Sequence, residues 1–278
     1  MMILAILFAA LIGGGRDARS PLPPQKSDAV IGVAAVDLQT GRRISVRDTE
    51  RFPMGSVYKV PIAIEVLRTQ QLERMITIEP KDFSPGWSPL RDGADGKPIV
   101  MTIEDLAEWM VQASDNTACD ALLRIVTPQA VTKRMRELGV RGIRIDRQER
   151  EMAADLRKPG GVKRYATDPR DTTTPDAMLA LFTAIAQKHD GLSPANHAKL
   201  MHWMTETTTG PHRIKAGIPN AAIAHKTGTM PGTVNDVAII DNRIVLAIFT
   251  KASTTPDEKA EADIAAIARG VYDALTTR

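Results

Sequence analysis

The sequence predicts an α+β fold: an antiparallel sheet with flanking terminal helices, plus an inserted all-helical lobe. Three observations carry this reading. Residues 30–38 (VIGVAAVDL) form a β-rich apolar run, and 44–46 follow it at hairpin distance. A long middle section then shows helical patterning and repeated helix-start signals. Strand character returns only at 221–227, 237–240 and 244–249, before a last helix over 256–275. The simplest arrangement pairs the early and late strands in one sheet, packs the last helix on it, and leaves the middle as a second lobe.

Each element has a local reason. Thr40-Gly41 closes the first strand and sets up the hairpin. A first helix is expected over 59–71, with Pro61 as an awkward residue that removes one helical hydrogen bond. Thr102, with Asp105 three residues on, marks a helix whose apolar face is Ile103, Leu106, Ala107 and Met110. Four more helices begin with a Ser or Thr cap followed by proline: Thr127-Pro128, Thr174-Pro175, Ser193-Pro194 and Thr255-Pro256. In the last helix Ile264, Ala268 and Val271 share one face.

Composition narrows the function classes. The 278 residues are 43% hydrophobic and 25% charged, so the chain can bury a core and is not disordered. Lys and Arg number 36 against 33 Asp and Glu, and an excess of +3 is too small for a nucleic-acid partner. Aromatic residues are 4% of the chain, too few for a platform that stacks single-stranded bases. A single cysteine, Cys119, excludes an internal disulfide and reads as a buried small hydrophobe. His197 and His202 are off the spacing that puts two ligands on one helix face, so no metal is expected.

The start of the chain reads as a leader. Residues 3–12 (ILAILFAALI) are all apolar, too short for a membrane span, and are followed by Gly13-Gly14-Gly15. The expected layout is a cleaved signal peptide at 1–15 and a linker at 16–27. A sheet lobe from 28–55 and 211–278 then encloses a helical lobe at 56–210. Secretion, most naturally to the periplasm, follows from such a leader, with no membrane anchor in the mature chain.

Three short motifs carry the chemistry. In Ser56-Val57-Tyr58-Lys59, a helical spacing of three brings Lys59 beside Ser56, and a neighbouring base is what a serine hydroxyl needs to become a nucleophile. Ser114-Asp115-Asn116 follows the Thr102 helix. Lys226-Thr227-Gly228-Thr229 ends a strand, offering a cation and hydroxyls to a carboxylate and a strand edge to a substrate amide. Each motif alone is weak; a turn or an exposed edge lysine explains it as well. The three in this order, each at an element boundary, form a strong joint signal.

These motifs resemble those of class A serine β-lactamases and penicillin-binding proteins. The resemblance covers nearly the whole chain after Val30. It implies Ser56 as the acylated nucleophile, Lys59 and Ser114 as proton relays, and Asn116 as a partner of the substrate side chain. Lys226, Thr227 and Thr229 would hold the substrate carboxylate, with Gly228 between them. The backbone N–H groups of Ser56 and Thr229 would form the oxyanion hole. Arg144-Ile145-Asp146-Arg147-Gln148-Glu149 resembles the start of the class A Ω-loop, expected here over 144–175, and Asp168-Pro169-Arg170-Asp171 resembles its end. By resemblance, Glu149 activates the deacylating water and Arg147 pairs with Asp171. A charged surface helix is the competing reading of that stretch.

The sequence also departs from the class A pattern. Ala153 stands where an asparagine usually helps hold the water, residues 155–167 lengthen the loop, and Met230-Pro231-Gly232 makes a short turn. Lys215 falls where some members supply a carboxylate-binding cation, and Trp87 is a candidate for the cleft mouth. Residues 206–215 (ETTTGPHRIK) resemble the PER-type branch. The expected function is metal-independent, cofactor-free hydrolysis of a β-lactam by a monomer. A penicillin-binding protein or DD-peptidase and a non-hydrolytic penicillin-sensing module are the rival readings.

Overall fold

The computed structural model describes residues 23–277. The expected leader at 1–15 and most of the linker at 16–27 lie outside them. The chain opens with β1 (Val30–Asp37), β2 (Arg43–Val46) and the short β3 (Phe52–Pro53). The helical section follows: α1 (Lys59–Thr69), β4 (Met75–Ile78), α2 (Pro89–Gly93), β5 (Ile99–Thr102), α3 (Ile103–Gln112), α4 (Asn116–Val126) and α5 (Pro128–Glu137). Then come α6 (Glu149–Arg157), α7 (Gly161–Tyr165), β6 (Thr172–Thr173), α8 (Pro175–Ala186), α9 (Pro194–Thr205) and α10 (Ile214–Gly217). The chain closes with β7 (Ile223–Met230), β8 (Thr233–Ile240), β9 (Ile244–Lys251) and α11 (Asp257–Thr276).

Strands from the two chain ends join in one sheet, ordered β2-β1-β9-β8-β7, with every neighbouring pair antiparallel. Alternation along the strands divides the side chains between two cores. Ile31, Val33 and Ala35 of β1 and Ile244, Leu246 and Ile248 of β9 point to one face, where Ile264, Ile267, Ala268 and Val271 of α11 cover them. Ala34, Val245, Ala247 and Phe249 point to the other face and join the core of the helical section, with Phe52, Ile62, Met110, Leu122 and Phe182. Removing this apolar surface from water is the main force holding sheet and helices together.

The expected helix starts at Thr102, Thr127, Thr174 and Ser193 are side-chain caps, each accepting from the backbone N–H three residues on. The fourth Ser/Thr-Pro signal is displaced. Pro256, not Thr255, is the N-cap of α11, and Thr255 instead donates through its hydroxyl to Asp28. Pro61 costs α1 little, because it lies in the first turn, where backbone N–H groups lack helical acceptors. The last sheet edge also differs from expectation. Strand β7 runs past Lys226 to Met230, since Thr229 still pairs with Val234 and Met230 with Thr233 across the tight Pro231-Gly232 turn. Among the described residues no helix is long and apolar enough to cross a membrane.

Candidate active site

The nucleophile candidate sits at the junction of sheet and helices. Ser56 lies in a 3₁₀ turn, Gly55–Tyr58, that leads straight into α1 and places Lys59 at its first residue. Two glycines permit the close approach of this turn to β7. Gly55 has φ of 51°, and a Cβ on Gly228 would stand 2.3 Å from the Met54 carbonyl oxygen and 3.1 Å from the Ser56 nitrogen. The backbones of Ser56 and Thr229 therefore meet at one wall of a cleft of about 440 Å³. Ser56, Trp87, Asn116, Glu149, Ala153 and Thr229 all line that cleft.

Behind the cleft wall lies a chain of buried polar contacts. The Lys59 ammonium is fully buried and donates to the Ser114 carbonyl oxygen at 2.7 Å and to Asn116 Oδ1 at 2.7 Å. It stands 3.1 Å from Glu149 Oε1. That approach is off the hydrogen-bonding direction, so Glu149 Oε1 keeps no donor among the described residues. No hydrogen bond joins Lys59 to Ser56; the pair share a turn and a wall rather than a direct contact. Lys226, also fully buried, donates to Ser114 Oγ at 2.9 Å and to the Thr227 carbonyl oxygen at 3.1 Å. Burial and the nearby Lys59 charge hold the Lys226 ammonium well below the ordinary lysine range.

Local structure explains why Ser114 and Asn116 are held so well. Ser114 adopts φ of 58°, an uncommon conformation for a residue with a Cβ, and the surrounding bonds enforce it. Asp115 caps α4 by accepting from the Ala118 N–H at 2.9 Å, and it also receives the Leu90 N–H at 2.8 Å. Asn116 donates through Nδ2 to the Pro85 carbonyl oxygen at 3.2 Å, while its own N–H donates to the Trp87 carbonyl oxygen at 3.0 Å. Trp87 is 61% exposed at the cleft edge, anchored by an indole hydrogen bond to the Ala113 carbonyl oxygen.

The loop carrying Glu149 is closed as its two ends imply. Arg147 Nε donates to Asp171 Oδ2 at 2.6 Å, and Asp171 Oδ1 accepts the N–H groups of Asp146 and Arg147. Burial raises the Asp171 carboxyl above its usual range despite this partner. The surface-helix reading fails at Glu149, which opens α6 but is 5% exposed and faces the cleft. Ala153, one turn on, brings only a methyl group to the same wall.

Three residues that sequence reasoning passed over complete the site. Arg213 donates through Nη2 to Thr229 Oγ1 at 2.7 Å and pairs with Glu261 at 3.0 Å. Lys215, the cation expected there, lies outside the cleft lining and donates to the Thr207 carbonyl oxygen. The spacing of two residues explains the displacement: α10 turns Lys215 away, whereas Arg213 precedes that helix and extends to β7. Asp120 is buried and accepts the N–H groups of Glu149, at 2.7 Å, and Arg150. Burial holds its carboxyl above the ordinary range, against a short hydrogen bond from Ser84. Asp257, the first residue of α11, places a carboxylate in the cleft lining. Only the run of cations in 213–215 gave any sign of these residues in advance.

Comparison with known proteins agrees with this geometry. Residues 19–275 match the beta-lactamase enzyme family. The carbapenem-hydrolyzing beta-lactamase KPC of Klebsiella oxytoca is 34% identical over 259 residues, covering 88% of this chain and 84% of that protein. The extended-spectrum beta-lactamase PER-1 of Pseudomonas aeruginosa is 28% identical over 280 residues, covering 92% and 88%. Identity thus does not single out the PER-type branch. An ancestral class A beta-lactamase superposes with a TM-score of 0.79 at 36% identity, covering 89% of this chain and 95% of that one. The TLA-3 extended-spectrum enzyme gives 0.81 at 29% identity, covering 91% and 95%. With Ser56, Lys59, Ser114, Glu149 and Lys226 gathered around one cleft in this fold, the chain belongs to class A of the beta-lactamase enzyme family.

Proposed function

We propose that this enzyme opens the ring of penicillin- and cephalosporin-type antibiotics through an acyl-enzyme on Ser56, and so confers antibiotic resistance. The observation that carries the reading is the shared cleft: Ser56 and the buried Glu149 carboxylate line it together, with Lys59 3.1 Å from that carboxylate.

In the acylation step Ser56 Oγ attacks the lactam carbonyl carbon. Its proton leaves through Lys59 and Ser114 to the ring nitrogen as the C–N bond breaks. The Ser56 and Thr229 N–H groups hold the developing oxyanion. Lys226, Thr227, Thr229 and Arg213 hold the substrate carboxylate, and Asn116 and Trp87 bound its side chain. In deacylation Glu149 takes a proton from a water that attacks the ester carbonyl, and the Ser56 oxygen leaves with a proton. Supporting this role, Glu149 Oε1 is a buried acceptor without a protein donor. A penicillin-binding protein or a sensing module needs no such carboxylate beside its serine.

A leader at residues 1–15 would carry the enzyme to the periplasm, where it would act as a monomer. Steady hydrolysis of a chromogenic cephalosporin is the test of the activity. A stoichiometric burst followed by silence would overturn it.

A further inference from the structure

A second cavity, of about 200 Å³, adjoins the Ω-loop, and Leu156 lines both it and the Ser56 cleft. Four cations line this cavity, Arg147, Lys158, Arg164 and Arg170, against two carboxylates, Asp155 and Asp168. Both carboxylates are already shared. Asp155 meets Arg147 at 2.8 Å, Arg170 at 3.0 Å and Lys158 at 2.6 Å, while Asp168 meets Arg170 at 2.6 Å and Arg147 at 3.2 Å. Arg147 also meets Asp171, at 2.6 Å, just outside the lining, so these groups together keep one positive charge in excess, and a concave wall focuses its field.

Two side chains have unused donors there. Arg147 is 5% exposed, and its Nη2 has no acceptor among the described residues. A buried charged donor left unmatched is costly, so the site favours whatever supplies an acceptor. Arg164 donates only to the Pro159 carbonyl oxygen, at 2.7 Å, and forms no ion pair among the described residues. The volume far exceeds the roughly 30 Å³ share of one liquid water, which leaves room for a tetrahedral ion. Guanidinium groups match the oxygens of such an ion in pairs.

We propose that this cavity binds a small oxyanion of the phosphate class, held by Arg147 and Arg164. The inference is independent of the reaction proposed at Ser56. A bound ion would tie α7 to Arg147 and so brace the segment that carries Glu149. The test follows the thermal unfolding midpoint during titration with inorganic phosphate, with ionic strength held constant by sodium chloride. The wild-type midpoint should rise and saturate. Arg164→Glu, a change at an exposed side chain that leaves the Arg147–Asp171 pair intact, should weaken the apparent affinity at least tenfold. Arg164→Gln should fall between the two. Lys226→Met should keep the effect, because it alters only the cleft. No saturable rise in the wild type, equal affinity in Arg164→Glu, or loss of the effect in Lys226→Met would each overturn the proposal.

Discussion

Glu149 Oε1 lies 3.1 Å from Lys59 Nζ, with both groups buried and no intervening residue. The Lys59 amine also donates to the Ser114 carbonyl oxygen and to Asn116 Oδ1, so it links the Glu149 wall to the Ser114 turn. The Glu149 carboxylate lines the same cleft as Ser56, on the wall the substrate must face, which is where a base for the deacylating water is needed. General-base contributions run to about 10²–10⁴-fold. Glu149→Gln should acylate at a measurable rate yet lose turnover by roughly that factor. Stopped-flow kinetics would show a burst of one equivalent per enzyme; a wild-type steady state would remove Glu149 from deacylation.

The Arg147–Asp171 pair is a structural element rather than a reacting one. Removing one partner of a buried ion pair typically costs about 3–5 kcal/mol, because the other charge is left uncompensated. Asp171→Ala strands Arg147 with Asp155 and Asp168 as partial substitutes, so the lower end, about 3 kcal/mol, is expected. Urea unfolding would measure it. A loss below about 1 kcal/mol, the range of an exposed pair, would mean that the loop closes by other contacts.

Arg213 should outrank Lys215 in substrate binding. Its guanidinium reaches Thr229 Oγ1, whereas Lys215 is engaged with Thr207. Loss of one hydrogen bond to a charged group is worth about 1.5–3 kcal/mol, so Arg213→Ala should raise KM about tenfold to a hundredfold. Lys215→Ala should leave KM within about twofold of wild type. Michaelis constants for one penicillin in both variants decide the order.

The burial that lowers Lys226 gives the enzyme a pH dependence of definite sign. The free enzyme loses this cation as pH rises through a value below the ordinary lysine range. Binding of a carboxylate substrate is therefore strong on the acid side and weakens toward alkaline pH. KM should climb there, about tenfold or more for loss of one charge-assisted bond. In Lys226→Arg the guanidinium keeps its charge, and the alkaline limb should move up or vanish. A KM–pH profile in which both proteins behave alike would assign the limb to another group.

Much of this was legible in the sequence because it is written in local signals. The four Ser/Thr caps at α3, α5, α8 and α9 act within three residues, and the Ser56 and Ser114 motifs mark element boundaries, whereas the Lys226 motif lies within β7. The extension of β7 to Met230 was not legible, since pairing with Val234 and Thr233 overrides the weak strand preference of Gly228. Arg213 was missed for Lys215 because nothing local tells which of two cations a short helix turns inward. Asp120 reads as an ordinary polar residue of α4; only the return of the chain at Glu149 brings it a role.

The central claim is an acyl-enzyme on Ser56, and intact-protein mass spectrometry after mixing Glu149→Gln with a penicillin tests it most directly. The expected result is a mass gain of one whole penicillin, mapped to the peptide containing Ser56, and no gain when Ser56→Ala is added. An adduct that survives Ser56→Ala, or one mapped to another peptide, would contradict it.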